Sequence, residues 1–395
     1  VGPDTHAGLK TPYKECPGCG GRRFLGSLLL RRQPVVLNYR FSTPEAATRV
    51  PRRNMLLRQC ATCGLVLNAT FDPNVIPYDA NYENRQCFSE AFNGHLERLA
   101  DSLVRDHRLR GKALLEVGCG KGDFLRLVCR KARSTGVGYD TSFEPGPGPE
   151  PRGLAFHREY LGADSVQGTF AAVICRHVVE HVPAIGAFLR ELRGIGLAAK
   201  ARVVFLETPR WEWIVAHRAF WDVFHEHCNY LPERTLAHLC RLAGFRVIRQ
   251  RAVFGGQYQT LELEPNPGRA QPIRTPGIPS KTALGAFARD ISRHRSALER
   301  FVRTRAAGKP WGLWGAGAKG VAMVNQLPKT RPALVVDSNP AKQGGVIPGS
   351  RIPIVAPEDP RLARLSFLLV ANPNYLGEIQ KTLCQTRFTG TVGTL

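Results

Sequence analysis

Apolar residues in this chain come in short runs that end in glycines or acids, and helical spacing follows several of them. Ala113-Leu-Leu leads into Glu116 and then into glycines at every second position, Gly118, Gly120 and Gly122. Beyond them Phe124, Leu125, Leu127 and Val128 recur at the spacing of an amphipathic helix. The stretch predicts a strand, a tight glycine turn and a helix. In such a turn the missing side chains let backbone N–H groups approach a nucleotide at the helix start. Gly136-Val-Gly-Tyr predicts the next strand and ends in an acid, Asp140, placed where an acid would bind ribose hydroxyls. Phe170-Ala-Ala-Val-Ile-Cys175 and Val203-Val-Phe-Leu-Glu-Thr-Pro209 predict further strands. Phe92, Leu96, Leu99 and Leu103 step by three and four residues as a helix leading into the turn. Strands alternating with helices indicate an α/β fold.

The flanking stretches carry their own patterns. Val35-Val-Leu-Asn-Tyr and Met55-Leu-Leu-Arg-Gln read as strands of a small antiparallel sheet. Residues 265–280, Pro-Asn-Pro-Gly through Pro-Gly-Ile-Pro-Ser, read as a linker. A helix then shows Leu284, Phe287, Ile291 and Leu298 near one face. Trp311-Gly-Leu-Trp-Gly315-Ala-Gly317-Ala-Lys319-Gly320 gives G-x-G-x-x-G between a strand and a helix, and Asp337 follows 20 residues after Gly317. From spacing alone this second glycine turn suits a dinucleotide such as NAD. The predicted units are 1–82, 83–265 and 281–395.

Charge and cysteines narrow the partners. A formal charge of +23 over 395 residues favours anionic ligands. No dense basic run with interleaved aromatics appears, so a phosphorylated small molecule is expected rather than nucleic acid. No run approaches 18 uncharged apolar residues, so no membrane span is expected. Val1-Gly-Pro-Asp lacks the apolar segment of a secretory signal, and the expected location is the cytoplasm. A monomer or weak dimer is expected. Cys16-Pro-Gly-Cys19 and Cys60-Ala-Thr-Cys63 are two knuckles separated by 40 residues. Four thiolates make a tetrahedral Zn²⁺ site with no place left for water, hence structural. Cys87, Cys119, Cys175 and Cys240 show no framework spacing and read as free thiols.

Two histidine segments carry candidate chemistry. His177-x-x-Glu180-His181 matches the H-x-x-E-H metalloprotease pattern, but it follows a predicted strand inside a nucleotide-binding unit. Phe224-His225-Glu226-His227 places a glutamate between two histidines just before a predicted helix start at Leu231. If the segment is extended, His225 and His227 point one way and Glu226 the other. A catalytic zinc on His225 and His227 has no evident third ligand in the sequence.

Glu116-x-Gly-x-Gly-x-Gly resembles motif I of class I methyltransferases, which bind S-adenosylmethionine (SAM). The whole order of motifs resembles the three-domain sugar C-methyltransferases that act on nucleotide-linked 4-keto-deoxy sugars. The shared features are the cysteine knuckles, Leu115-Glu-Val-Gly118, Arg176-His-Val-Val-Glu-His181, His225-Glu-His227, Gly255-Gly256 and the C-terminal Gly-Ala-x-Ala-Lys-Gly with Asp337-x-Asn-Pro-x-Lys-Gln-Gly344. The resemblance implies a class I methyltransferase Rossmann-like domain between a zinc domain and a C-terminal Rossmann-like domain that helps hold the nucleotide sugar. It implies SAM at Glu116, Gly118, Gly120, Gly122 and Asp140, with Arg176 and His177 nearby. It implies His227 as the base that ionises the carbon beside the ketone and Glu226 as its partner. His225, His181 and Asn229 are the candidate donors to the enolate. The expected sugar pocket holds Phe224, Asn229, Gly255, Gly256, Gln257 and Asn372, with Gly315, Gly317, Lys319 and Asp337 toward the pyrophosphate and nucleoside. The chain departs from the family at Phe224, where a Tyr is usual, and at Phe254-Gly-Gly-Gln257, where His-Gly-Gly-Ser is closer to the pattern. Both departures remove a polar group. They favour, as an alternative, another methyl acceptor (oxygen, nitrogen or an unusual carbon); a further alternative is a non-methylating protein of the same fold whose C-terminal lobe binds NAD or a partner.

Overall fold

The structure is a computed structural model and describes residues 12–76, 82, 83, 85, 87–146, 148–265, 283–327 and 329–394. The chain start read as Val1-Gly-Pro-Asp, and the linker apart from Pro265, lie outside the described residues. Strands are numbered in chain order. β1 (Phe24–Pro34), β2 (Arg52–Cys60) and β3 (Val66–Asn68) pair antiparallel. Val35–Tyr39, expected as a strand, follows β1 as a bend. Its Leu37 and Asn38 N–H groups donate to the Glu226 carboxylate, which takes them away from any ladder.

The central sheet explains the alternation of the middle stretch. Its strands are β4 (Leu114–Val117), β5 (Gly136–Tyr139), β6 (Leu154–His157), β7 (Ala172–Arg176) and β8 (Val203–Pro209), all parallel. β9 (Asn229–Tyr230) leaves this sheet and pairs antiparallel with β3, completing the N-terminal sheet. β10 (Arg246–Val253) and β11 (Tyr258–Glu264) return as a hairpin, with β11 antiparallel to β8. The order is β10-β11-β8-β7-β4-β5-β6. Successive strand residues point to opposite faces, and both faces are apolar. Leu114, Ile174 and Phe205 pack under the helices Glu90–Asp106 and Asp123–Ala132. Leu115, Val173 and Leu206 pack under Ile185–Ala198 and Glu233–Leu242.

The C-terminal sheet contains β12 (Trp311–Trp314), β13 (Leu334–Val336), β14 (Ile354–Val355), β15 (Phe367–Val370) and β16 (Thr391–Thr394). All are parallel, in the order β14-β13-β12-β15-β16. One apolar cluster joins the three sheets. Trp211, Phe220, Trp221 and Phe224 pack with Leu28, Met55 and Leu57 on one side and with Phe287, Trp311 and Val321 on the other. Among the described residues no helix is long and apolar enough to cross a membrane.

Gly320 lets the helix Ala318–Gln326 lie against β12. A Cβ there would lie 1.8 Å from the Gly315 carbonyl oxygen. Gly320→Ala is expected to cost about 1–3 kcal/mol in denaturant unfolding, by overpacking against rigid backbone. Gly377→Ala, at a helical position with nothing within 4 Å, is expected to be neutral or slightly stabilising.

Candidate active site

β4 delivers the first glycine turn. Gly118, Gly120 and Gly122 have φ of 74°, 55° and 80°, a region that residues with a Cβ rarely enter. A Cβ on Gly118 would lie 2.2 Å from Val178 Cγ2, and one on Gly122 would lie 2.5 Å from Phe156 Cε1. Gly120 has nothing within 4 Å. Its N–H donates to Asp140 Oδ2 at 2.8 Å, while Oδ1 accepts from the N–H and hydroxyl of Ser142 at 2.7 and 2.6 Å. The helix Asp123–Ala132 starts at Gly122 without a side-chain cap, so its first N–H groups remain for a ligand. An open glycine, an uncapped helix start and an acid at the next strand end fit the carboxylate and ribose of SAM.

Behind this turn lies a buried charge network. Glu116, expected to touch the cofactor, is instead 2% exposed, and Oε2 has no hydrogen-bond partner among the described residues. Burial pushes its carboxyl up to about 8. Arg176 donates from Nε to Glu207 Oε2 at 2.7 Å and lies 4.1 Å over the Phe124 ring. His177, at φ 53°, sits 3.3 Å from Glu180 and 3.5 Å from Glu207. Burial alone would lower His177, but the two carboxylates outweigh it and raise it to about 9. His95 completes the network 2.7 Å from Glu207 Oε1. Sequence reasoning missed Glu207 and His95. Their signal was an acid closing the apolar run of β8 and a histidine on the apolar stripe of a helix.

Residues 177–181 lie beside the glycine turn through the contact of Val178 with Gly118. His181 Nδ1 is 3.0 Å from the Glu226 carbonyl oxygen. That oxygen only accepts, so Nδ1 carries a proton. The His227 ring stands edge-on to His181 at 4.8 Å and lies 4.1 Å from the Phe224 ring. Burial, then the positive charges of His181, Lys319 and His177, hold His227 well below the ordinary imidazole range. It is a neutral base.

The extended reading fails for His225, and Glu226 is committed away from the imidazole that the resemblance pairs it with. Residues 224–227 form a turn, closed by the His227 N–H donating to the Phe224 carbonyl at 3.2 Å. The Glu226 carboxylate points away from His227. It accepts from the Leu37 N–H at 2.5 Å, the Asn38 N–H at 3.3 Å and the Tyr82 hydroxyl at 2.8 Å. His225 is 0% exposed and stacked on Phe71 at 5.5 Å, and burial lowers it to about 4. Asn229 spends its side-chain N–H groups on the Val179 and Val182 carbonyls. The ligand atoms of Glu180, His181 and His227 lie within 4.8 Å of one another; His225 is not among them, so the expected His225–His227 pair is not brought together as a metal site.

The C-terminal loops meet this site. Asp337 Oδ2 accepts from the Ala316 N–H at 2.6 Å, repeating the Gly120–Asp140 bond. Gly315 takes φ 112°, and Gly317 has open space around it. Lys319 pairs with Asp222 Oδ1 and lies 5.5 Å over the Trp213 ring. Gly255 and Gly256, at φ 64° and 80°, make the β10–β11 turn between Asn374 and Trp213. Gln257 is 2% exposed, and its Oε1 accepts from Asn372 and Asn374 at 3.0 and 3.1 Å. It joins hairpin to C-terminal loop.

The four knuckle sulfurs lie within 4.8 Å of one another, with Cys16–Cys63 and Cys19–Cys60 both at 3.6 Å. Tetrahedral zinc with bonds of about 2.3 Å spaces its sulfurs about 3.8 Å apart, so the set fits zinc. Gly20 and Gly64, at φ 74° and 82°, close the knuckles. Thr235 donates to the Cys63 carbonyl at 2.7 Å and anchors the group to the central unit.

Residues 84–250 match the family model of a methyltransferase domain, and residues 274–392 that of a C-methyltransferase C-terminal domain. The C-methyltransferase NovU of Streptomyces niveus is 26% identical over 400 residues, covering 93% of this chain and 91% of that protein. Magnesium protoporphyrin IX methyltransferase of Synechocystis PCC 6803, solved with bound SAH, is 17% identical over 44% of this chain and 83% of its own, with a TM-score of 0.32. The putative methyltransferase complex with Trm112 of Haloferax volcanii is 13% identical over 45% and 99%, also at 0.32. Structural likenesses that slight carry no argument. The sheet order and the matched domains define a class I methyltransferase with a Rossmann-like fold. With the second matched domain, the chain is a SAM-dependent C-methyltransferase.

The His177 network gives stability a pH dependence. Its folded value of about 9 exceeds the ordinary 6.5, so its contribution is complete below about pH 6.5 and is lost as pH rises through about 9. Denaturant unfolding is expected to weaken across that window, and His177→Gln to flatten the decline.

Proposed function

We propose that the enzyme methylates a carbon beside the ketone of a nucleotide-linked deoxy sugar, with His227 as the base. The observation that carries this reading is a half-buried imidazole, kept neutral by desolvation and nearby positive charge, on a loop packed against His181, whose own loop packs on the first glycine turn. Carbon becomes nucleophilic only when a C–H is ionised, and an adjacent ketone makes that possible by holding the charge as an enolate. SAM supplies an electrophilic methyl on a sulfonium. His227 takes the proton, His181 lies beside it as its neighbour, and Phe224 keeps water from the imidazole. Glu226 acts by position: its carboxylate fixes the loop and its carbonyl fixes the His181 tautomer.

The surplus of positive charge and the second glycine turn support a phosphorylated acceptor, with Gly315, Gly317 and Asp337 toward the nucleoside. The Gly255–Gly256 turn, Gln257 and Asn372 would frame the sugar side. We assign three units, 1–82 for structural zinc on Cys16, Cys19, Cys60 and Cys63, 83–265 for SAM, and 281–395 for the nucleotide.

His227→Ala should lower kcat by about 10²–10⁴-fold if the imidazole is the general base. Wild-type activity should stay flat through pH 6.5, because His227 titrates lower. Metal analysis should find about one zinc per chain. About two would make His227 a ligand of the Glu180–His181–His227 group and remove it as the base.

A further inference from the structure

Ionising a carbon beside a ketone places negative charge on the carbonyl oxygen, and that charge requires a donor. The donors suggested by sequence are absent or committed. Position 224 is Phe. The Tyr230 hydroxyl accepts from the Phe224 N–H at 3.1 Å and donates to the Phe224 carbonyl at 3.0 Å. His181 presents its proton to the Glu226 carbonyl, Asn229 serves the Val179 and Val182 carbonyls, and His225 is buried against Phe71.

Lys319 is differently placed. Its side chain is 22% exposed and its ammonium is held between Asp222 and the face of Trp213. Of the three N–H donors on an ammonium, Asp222 Oδ1 engages one. Asp222 itself is 5% exposed, and its Oδ2 has no hydrogen-bond partner among the described residues. A phosphate brought to this ammonium would compete with the Asp222 carboxylate already paired to it and would be repelled by that carboxylate in a poorly solvated place. A carbonyl oxygen would not, and a hydroxyl beside the carbonyl would give Oδ2 the donor it lacks. Asp222 is also two residues before Phe224, on the segment that carries His227.

We propose that Lys319 is a catalytic residue of the methylation, donating to the carbonyl oxygen of the acceptor as it becomes the enolate. Asp222 positions that ammonium. In the step, the proton passes to the His227 imidazole and the C–H electron pair becomes the C=C bond. The former C=O π pair moves onto the oxygen, where the Lys319 N–H meets it. When the C=C pair forms the new bond to the methyl, the bond from that methyl to the SAM sulfur breaks with its electrons left on sulfur, and the pair on oxygen returns to the C=O bond. His227 then gives its proton to solvent, and Lys319 is left as it began. The proposal rests on the ketone-sugar reading, but its test separates the two.

The acceptor probe is a nucleoside-diphosphate-linked 4-keto-6-deoxyhexose in D₂O, with and without SAM. Wild-type enzyme should exchange deuterium beside the ketone without SAM; no exchange would end the ketone reading itself, whatever Lys319 does. With exchange established, Lys319→Met should slow both exchange and methylation about 10²–10³-fold in kcat, the effect of losing one oxyanion donor, with KM changed by less than about threefold. Adding Phe224→Tyr to Lys319→Met should restore part of the exchange, a gain that repairing lobe packing would not produce. Isothermal titration with SAM should show wild-type affinity in both variants; if Lys319→Met fails this, Lys319→Gln replaces it in the same comparison. A raised KM at unchanged kcat would make Lys319 a phosphate ligand and overturn the proposal. Wild-type exchange rates in a SAM-binding Lys319 variant would overturn it as well.

Discussion

Glu226 is 0% exposed, and its charge is tolerable inside the protein because another part of the chain comes to meet it. The N–H groups of Leu37 and Asn38 and the hydroxyl of Tyr82 converge on its two oxygens. That arrangement bends residues 35–39 away from strand geometry and closes the 224–227 turn against the N-terminal unit. β9 begins at Asn229, two residues after His227, and adds itself to the N-terminal sheet. The imidazole is thereby anchored by a sheet to which the cofactor turn does not belong. The 177–181 loop links the two, with Val178 on Gly118 and His181 beside His227.

Burial does two different things to the histidines gathered here. Around His177 two carboxylates are close enough to overcome it, and the ring is a fixed cation within a structural network. Around His227 the neighbours are cationic, so charge and burial act together and the ring is neutral. Two neighbouring loops thus supply a positive group and a proton acceptor without either becoming the other. The charges beside each ring set its role, and the histidine spacing does not.

The sequence made the central fold legible because glycine spacing and strand-end acids are local signals. Gly118 to Asp140, and Gly315 to Asp337, each encode a turn, a helix start and the acid that closes it. The knuckle cysteines were legible for the same reason, since each pair sits on one tight turn. Val35–Tyr39 misled because its apolar residues are buried, but the partner that sets its backbone is 189 residues away. His225 misled because alternation assumes an extended chain, whereas residues 224–227 turn and bury it against Phe71. Gln257 and Lys319 read as pocket residues, but their pairings with Asn372 and Asp222 across the unit boundary were not legible. Pairings of that range leave no periodicity in a sequence.

The two acids that end β5 and β13 each hold an amide of the adjacent glycine turn, Gly120 by Asp140 and Ala316 by Asp337. Each turn is therefore latched shut by the very group that a ribose would engage. A carboxylate has acceptor sites beyond the one an amide uses, so a hydroxyl arriving at either acid would share it with the backbone rather than displace that bond. The acid would then meet its ligand already oriented, at no further cost in ordering the side chain.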